Sequence, residues 1–320
     1  MPHPLQALRT LFAITALLLG ATFAHAAAPP AKGQSPGWYR MTLGAFEVTA
    51  LSDGTVDLPV DKLLTGTTPA KIQAALARAY LKSPVETSVN GYLINTGSKL
   101  VLIDAGAAGL FGPTLGKLVA NLKASGYTPE QVDEIYITHL HADHVGGITS
   151  ADGKAVFPNA ILRADKKEAG FWLDQATMDK APAAMKDFFK GAMLSMKPYV
   201  EAGKFKPFDG DTELVPGIKS FATRGHTPGH AAYVVESQGQ KLVVWGDLMH
   251  VAAVQFPDPS VTIGFDVDPR AAAPQRKKAY ADAAAAGYYV AVAHVAFPGI
   301  GQLRHDGKGY RWLPANYSTK

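Results

Sequence analysis

One short stretch, residues 138–147 (THLHADHVGG), constrains this chain more than any other. The apolar, partly β-branched segment before it predicts a buried strand. In an extended chain, residues i and i+2 point to the same side, so His139 and His141 can bind one ion together. Asp143 and His144 follow about one turn later, where they can hold a second ion. Packing gives no reason to gather such groups at a strand end, so the stretch predicts a metal site.

This pattern resembles the metal-binding motif of the metallo-β-lactamase superfamily. The resemblance implies three further ligands, each at a strand end: a histidine, a bridging aspartate and a last histidine. The chain offers His226 within GHTPGH, Asp247 after VVWG and His294 after VAVA. The resemblance also implies an α/β fold, a single-domain αββα sandwich with metals at one edge between the sheets. The alternation of strand clusters with helices along the sequence fits such a layered domain.

The resemblance implies a binuclear centre with seven ligands, one of them shared. Three histidines on one ion leave a position open for water, whose pKa falls from 15.7 to about 7 on a cation. A metal-bridging hydroxide is then expected, with Asp143 and Asp247 as the catalytic carboxylates. Without cysteine, the nitrogen and oxygen ligands favour Zn²⁺ but also fit Mn²⁺, Fe or Co²⁺. His139, His141 and His226 are assigned to one ion, Asp143, His144 and His294 to the other, and Asp247 to both.

Several alternatives remain at this stage. A β-lactamase is disfavoured because the set includes His144 and a bridging aspartate. A thioesterase of the glyoxalase II type shares the metal motif, and a metal-binding protein without turnover stays open. His230 is predicted either to orient a ligand or to pack in the core, and His305, in the polar run RHDG, is predicted to be solvated.

A closer resemblance, over residues 37–317, is to the methyl parathion hydrolase family and its secreted relatives. It is carried by distinctive segments such as ETSVNGY, AAGLFGPTLG, FFKGAM, VAAVQF and FPGIG. In that family an aromatic mouth receives an aryl leaving group, and Phe111, Trp172 and Phe188 match its positions. An aromatic cleft beside two metals suits a flat aryl ester or lactone, or an aryl phosphotriester.

The chain departs from the organophosphate-hydrolysing pattern at four positions. That pattern has a basic residue near Leu63, a leucine at His250, and smaller residues at Ile263 and Phe265. All four are expected at the substrate site, and His250, Ile263 and Phe265 are expected to fill volume there, which a planar lactone carbonyl tolerates better than a phosphorus with two alkoxy groups. The prediction is therefore a lactonase or aryl esterase of the dihydrocoumarin type with weak phosphotriesterase activity. The alternative is an efficient methyl parathion-type phosphotriesterase.

The N-terminus predicts a secretory signal at residues 1–26, with Arg9, an apolar run at residues 11–19 and a cleavage site near Ala26. We therefore expect a secreted or periplasmic protein without a stable membrane anchor, a flexible lead-in at residues 27–38 and the hydrolase domain at residues 39–320. The net charge of +4 comes from scattered lysines and arginines, which disfavours a nucleic-acid partner. A homodimer is expected by analogy with the relatives only.

Hydrophobic periodicity predicts the individual elements. A single edge strand is predicted at residues 39–51, followed by a turn at residues 52–54. The other predicted strands are 88–94, 99–103, 132–137, 160–163, 217–223, 231–236, 241–245 and 288–293, and the predicted helices are 68–82, 114–125, 166–172, 183–196 and 270–286.

Overall fold

Two mixed β-sheets form the centre of the fold in the computed structural model, which describes residues 28–318. The predicted signal at residues 1–26 lies outside the described residues, and residues 28–36 form no helix or strand. The first sheet has the strand order β1-β2-β4-β5-β6-β7. Its strands are β1 (Trp38–Leu43), β2 (Phe46–Leu58), β4 (Val85–Asn95), β5 (Leu100–Ile103), β6 (Glu134–Tyr136) and β7 (Ile161–Arg163).

The second sheet has the order β15-β14-β13-β11-β10-β9-β8. Its strands are β8 (Glu213–Val215), β9 (Ile218–Ala222), β10 (Ala231–Ser237), β11 (Gln240–Val244), β13 (Tyr289–Ala291), β14 (Ile300–Asp306) and β15 (Gly309–Pro314). A separate short pair, β3 (Leu64–Thr65) with β12 (Thr262–Ile263), lies outside both sheets. The α-helices are Val60–Leu63, Pro69–Arg78, Leu118–Ala124, Ala142–Val145, Lys166–Trp172, Gln175–Lys180, Lys186–Glu201, Ala252–Gln255 and Pro269–Ala286.

The layers follow from the alternation of side chains along each strand. In β4, Tyr92 and Ile94 face the cluster between the sheets, where they meet Tyr233 of β10, while Leu93 faces a second cluster packed with helices. That second cluster includes Phe189 from helix Lys186–Glu201. On the far side, helix Pro269–Ala286 packs against the outer face of the second sheet. Helices on both outer faces of two packed sheets confirm the predicted αββα sandwich.

The predicted single strand at residues 39–51 is wrong. Gly44, with a φ of +60°, turns the chain between β1 and β2, which pair as a hairpin. The predicted turn at residues 52–54 is also wrong, because β2 continues through it with a bulge at which Gly54 has a φ of +128°. Ordinary turn residues therefore mark an irregularity inside a long strand here.

The bulge turns the carboxylate of Asp53 into the protein, where it is 1% exposed. It accepts backbone N–H bonds from Ala107 (2.9 Å), Gly116 (3.0 Å) and Leu118 (3.0 Å). These bonds hold the segment after β5 against β2 and account for a helix that begins at Leu118, later than predicted. A buried carboxylate needs such partners, because an unpaired one costs several kcal/mol.

Several further elements lie outside the sequence prediction, among them helix Gln175–Lys180, helix Ala252–Gln255 and the C-terminal hairpin β14–β15. His305 lies on that hairpin with an exposed side chain, as predicted. Within residues 28–318, none of the helices combines the length and the apolar character that a membrane crossing requires.

The turn behind the predicted metal loop depends on close backbone contact. Gly147 donates its N–H to Gly106 O at 2.8 Å. A Cβ on Gly147 would lie 1.9 Å from Ala105 O, so even a methyl group must displace the backbone. Glycine is required at position 147 because no larger residue fits there. Its backbone conformation does not require glycine, since its φ is not positive.

We predict that Gly147→Ala lowers the free energy of unfolding by about 3 kcal/mol, since overpacking against backbone cannot relax cheaply. Urea denaturation followed by circular dichroism measures it. Gly170→Ala is the matched control: it lies in helix Lys166–Trp172 with no atom within 4 Å of its Cβ. The control should raise stability by about 0.5–1 kcal/mol. Equal effects of the two substitutions would contradict the close-contact argument.

Candidate metal centre

The predicted ligands follow strands that end at one edge of the sandwich. The segment containing His139 and His141 comes soon after β6, Asp247 follows β11 and His294 follows β13. Their ligand atoms fall into groups in which all atoms lie within 4.8 Å of one another. One group is His139, His141, His226 and Asp247, and a second is Asp143, His144 and His294.

The Asp247 carboxylate lies between these groups. Its Oδ2 is 3.5 Å from His139 Nε2 and 3.3 Å from His226 Nε2. Its Oδ1 is 3.2 Å from His144 Nε2 and 3.1 Å from His294 Nε2. Four ligands at about 2.0–2.1 Å around a tetrahedral zinc lie about 3.3 Å apart. Each oxygen of Asp247 therefore stands at ligand spacing from a different group, as a bridging carboxylate must.

The other two predicted ligands complete the groups. His141 Nδ1 lies 3.1 Å from His226 Nε2. Asp143 Oδ2 lies 3.6 Å from His144 Nε2 and 3.5 Å from His294 Nε2. These separations match the spacing expected around a tetrahedral ion. The structure thus brings all seven predicted ligands together in the pattern that the resemblance implies.

Buried polar atoms that converge without partners support the fit to cations. His139 Nε2, His144 Nε2 and Asp247 Oδ1 make no hydrogen bond with any of the described residues, although buried polar atoms are nearly always paired. Burial holds the pKa of His139 and of His141 well below the usual value, so both rings are neutral. Neutral imidazole is the form that binds a metal. The donor set therefore fits two divalent ions.

Asp104, directly after β5, orients two ligand rings. Its Oδ2 lies 2.9 Å from His144 Nδ1 and accepts the hydroxyl of Thr138 at 2.9 Å. Because that hydroxyl donates to Asp104, Thr138 Oγ1 accepts from His139 Nδ1, 3.0 Å away. Both rings then carry their proton on Nδ1 and leave Nε2 free for a metal. This role of Asp104 is not among the sequence predictions, although an acidic residue at the end of a buried strand was a signal for it.

Asp266 and a backbone carbonyl orient two other ligand rings. Asp266 Oδ1 lies 2.8 Å from His226 Nδ1, and its Oδ2 lies 3.8 Å from the buried guanidinium of Arg276. His294 Nδ1 lies 3.0 Å from Ser88 O. Each of these contacts leaves Nε2 directed at Asp247. Neither Asp266 nor Arg276 belongs to a sequence motif, so only the tertiary structure reveals them.

Glu168 connects two of the ligand loops. This carboxylate is fully buried and accepts the N–H of Leu140 at 2.9 Å, the N–H of Gly229 at 2.8 Å and the hydroxyl of Thr227 at 2.7 Å. Burial raises its pKa, while these hydrogen bonds act in the opposite direction. The loops that carry His139 and His226 are therefore held together by one side chain from helix Lys166–Trp172.

His230 orients the bridging aspartate, which was one of the two predicted roles. Its Nε2 accepts the backbone N–H of Asp247 at 3.0 Å, and its Nδ1 lies 2.8 Å from Thr223 Oγ1. Burial lowers the pKa of His230 to about 3. The ring is therefore neutral and can accept from the Asp247 backbone across the whole physiological range.

A narrow cavity of about 370 Å³, open solvent at its mouth included, lies against the ligand groups. An adjoining cavity of about 430 Å³, again with open solvent included, shares three of its residues and adds Trp172, Met185, Gly264, Asp266 and Val267. The first cavity is lined by the apolar Val56, Leu58, Phe111, Phe188 and Phe265, and by the polar His141, Asp143, Asp247, His250 and His294.

The seven predicted substrate residues divide into three sets. Phe111, Phe188, His250 and Phe265 line the cavity against the ligands. Trp172 lines the adjoining one, with its ring 5.3 Å from that of His141.

Leu63 and Ile263 are not part of either cavity wall, which corrects the expectation that they belong to the substrate site. Ile263 is 1% exposed and belongs to an apolar cluster with Val251 and Val254, and Leu63 packs against that cluster. The short pairing of β3 with β12 accounts for this, because it holds Ile263 in a packed ribbon beside the site, next to Leu63 at the end of helix Val60–Leu63.

Comparisons with known proteins agree with this architecture. A hydrolase of the beta lactamase superfamily named AbOPH is 39% identical, superposes with a TM-score of 0.85, and is covered over 100% of its chain and 89% of this one. AidC, a dizinc quorum-quenching lactonase solved with its product N-hexanoyl-L-homoserine, is 25% identical with a TM-score of 0.81, covering 88% of this chain and 99% of its own.

Sequence relatives give the same family. An N-acyl homoserine lactonase of Bacillus cereus is 29% identical over 150 residues, 47% of this chain. The match spans about half, 51%, of that lactonase. The sequence model of the metallo-beta-lactamase superfamily matches residues 84–294, a segment that contains all seven candidate ligands. Since this segment is more than half of the chain, the protein belongs to the metallo-beta-lactamase superfamily.

Proposed function

We propose that this protein is a binuclear metal-dependent hydrolase that cleaves aryl lactones and aryl esters. The observation that carries the proposal is the bridging position of Asp247, with one ligand group on each oxygen, at the floor of an aromatic-walled cavity. Two divalent ions bound there would supply an activated water and stabilise negative charge on the attacked carbonyl oxygen.

The residues of the chain would position the substrate and move a proton. Asp143 is partly exposed on the cavity, whereas Asp247 is buried. Asp143 is therefore the carboxylate that can reach a leaving alkoxide or phenoxide and deliver a proton to it. The apolar wall would orient a flat substrate over the carboxylates and limit the entry of bulk water.

The aromatic wall favours flat substrates. The rings of Phe188 and Phe265 are centred 6.5 Å apart, and the ring of His250 is centred 6.1 Å from Phe265. A planar aryl lactone of the dihydrocoumarin type can enter edge-on beside these rings. A tetrahedral phosphorus with two alkoxy groups is thicker than a flat ring. With Leu63 and Ile263 outside the wall, this steric argument depends on His250 and Phe265.

Two other substrates belong in the same test. Relatives named N-acyl homoserine lactonases favour a lactone over a phosphotriester and make an acyl homoserine lactone a second candidate. The methyl parathion-type phosphotriesterase remains the alternative from the sequence analysis, and organophosphate hydrolysis is proposed as a weak side activity. Export through the predicted signal, a homodimeric state and zinc as the native metal stay predictions.

Metal removal tests the centre itself. We predict that a chelator abolishes hydrolysis of an aryl lactone and that added Zn²⁺ restores it. Asp247→Asn should lower the bound metal below two ions per chain and reduce kcat/KM by about 100-fold or more, because it removes a charged ligand from both ions. Asp187→Asn, a surface carboxylate paired with Lys190, is the control and should keep both metal and activity. Full activity in the chelated protein would rule out this chemistry.

A substrate panel tests the specificity. For the zinc-loaded protein, kcat/KM should be higher for dihydrocoumarin than for methyl paraoxon, with N-hexanoyl homoserine lactone measured in parallel. His250→Leu should raise the ratio of phosphotriester to lactone kcat/KM, because it replaces a polar ring at the cavity wall with a branched apolar side chain of different shape. An unchanged ratio would argue against the steric explanation, and a wild-type preference for methyl paraoxon would favour the phosphotriesterase.

A further inference from the structure

His250 lies three residues after the bridging aspartate, in a loop whose backbone N–H groups are hydrogen-bonded to Gln255. The N–H groups of His250 (2.8 Å) and Val251 (2.9 Å) both donate to Gln255 Oε1, and Gln255 Nε2 donates to Val261 O at 3.0 Å. Gln255 is fully buried. The imidazole of His250, 3% exposed, is therefore held in place on the cavity side of Asp247.

Both nitrogens of this ring are unsatisfied within the described residues. Nδ1 and Nε2 are buried and make no hydrogen bond of acceptable geometry. Nε2 lies only 2.9 Å from Asp247 Oδ2, but the two atoms are not aligned as donor and acceptor. A buried imidazole with neither nitrogen paired is costly unless something else binds it.

The surroundings of the ring are those of a metal ligand. The ring of His250 stacks on that of His294, with centres 5.3 Å apart and planes 18° apart, and its centre is 4.9 Å from the ring of His226. Asp247, His250 and His294 each present a ligand atom within 4.8 Å of the others. Two imidazoles and a carboxylate form a donor set suited to Zn²⁺ or Co²⁺.

We propose that His250 is an eighth metal ligand, which with Asp247 and His294 gives the second ion an alternative position on the cavity side. The position cannot hold a third ion alongside the other two, because His294 Nε2 has a single lone pair and is already needed by the group with Asp143 and His144. The ion would instead move between two positions that share His294. The inference rests on the proposed metal-dependent function.

This role differs from that of a volume filler. An alternative position would retain an ion that has left Asp143 and His144, so its loss to solvent would be slower. A ring that only fills space would affect substrate fit and leave metal retention unchanged. The two roles separate when the ring is kept and its nitrogens are removed.

The test compares His250→Phe, which keeps a flat ring, with His250→Leu, and uses Phe265→Leu as the matched control at the neighbouring cavity wall. Each full-length protein is loaded with Co²⁺ or Zn²⁺, and transfer of metal to a chromogenic chelator is followed with time. Both His250 variants should lose one ion about tenfold faster than the wild type. Their Co²⁺ absorption spectra should change, while Phe265→Leu should keep the wild-type rate and spectrum.

Wild-type retention and spectrum in His250→Phe would overturn the inference, as would equally fast loss from Phe265→Leu, which would indicate a general loosening of the site. Thermal unfolding of each variant identifies a folding defect. Because two different substitutions replace His250, the test can still be made if one of them does not fold. A wild type that binds two ions but cleaves no ester would contradict the proposed function alone. Normal ester hydrolysis with unchanged metal retention in both His250 variants would contradict only the additional ligand.

Discussion

The rest of the site depends on one buried carboxylate. Asp247 is 3% exposed, and burial alone would raise its pKa, but the imidazoles around it, His144 and His294 foremost, hold that pKa well below its usual value. An ionised carboxylate in a dry interior is costly unless positive charge or hydrogen-bond donors face it. Here each oxygen faces ring nitrogens of a different group, and these can balance its charge only while the rings are protonated, a form that cannot bind a metal. Two cations resolve this conflict, because they bind the carboxylate and the imidazoles at once.

A second tier of buried carboxylates fixes the loops around that centre. Asp53 holds the segment after β5, Asp104 orients rings from the loop after β6, Glu168 joins that loop to the one containing His226, and Asp266 orients His226 itself. Each of these carboxylates provides hydrogen bonds where the chain has no regular secondary structure. The sandwich places several strand ends at one edge. The buried carboxylates hold the loops that follow these strands, so that the candidate ligands point in fixed directions.

The first part of the candidate site can be predicted from the sequence because its signal is local. HxHxDH after an apolar run needs only strand geometry to be interpreted, whereas His226, Asp247 and His294 were expected through the family resemblance. Asp104 and Glu168 lack such a signal, since their partners come from distant loops. The sequence around Asp53 resembled a turn because the residue types that favour turns also occur at β-bulges. Side chains of the cavity wall are harder to predict than the ligands. The short pairing of β3 with β12 determines which of them face the cavity, and the few residues of these two strands do not specify that pairing.

The cavity wall and the metal geometry are not independent in this fold. Asp266 accepts the N–H of Ile263 at 3.2 Å with the same carboxylate that orients His226, and Gly264 donates its N–H to Leu63 O at 2.8 Å. Phe265 lies within the same segment. Leu63 and Ile263 therefore contact the site through the backbone that positions Asp266, even though their side chains pack elsewhere. Side-chain changes at these two positions are therefore expected to reach the site through Asp266 and its contact with His226, and not by filling the cavity.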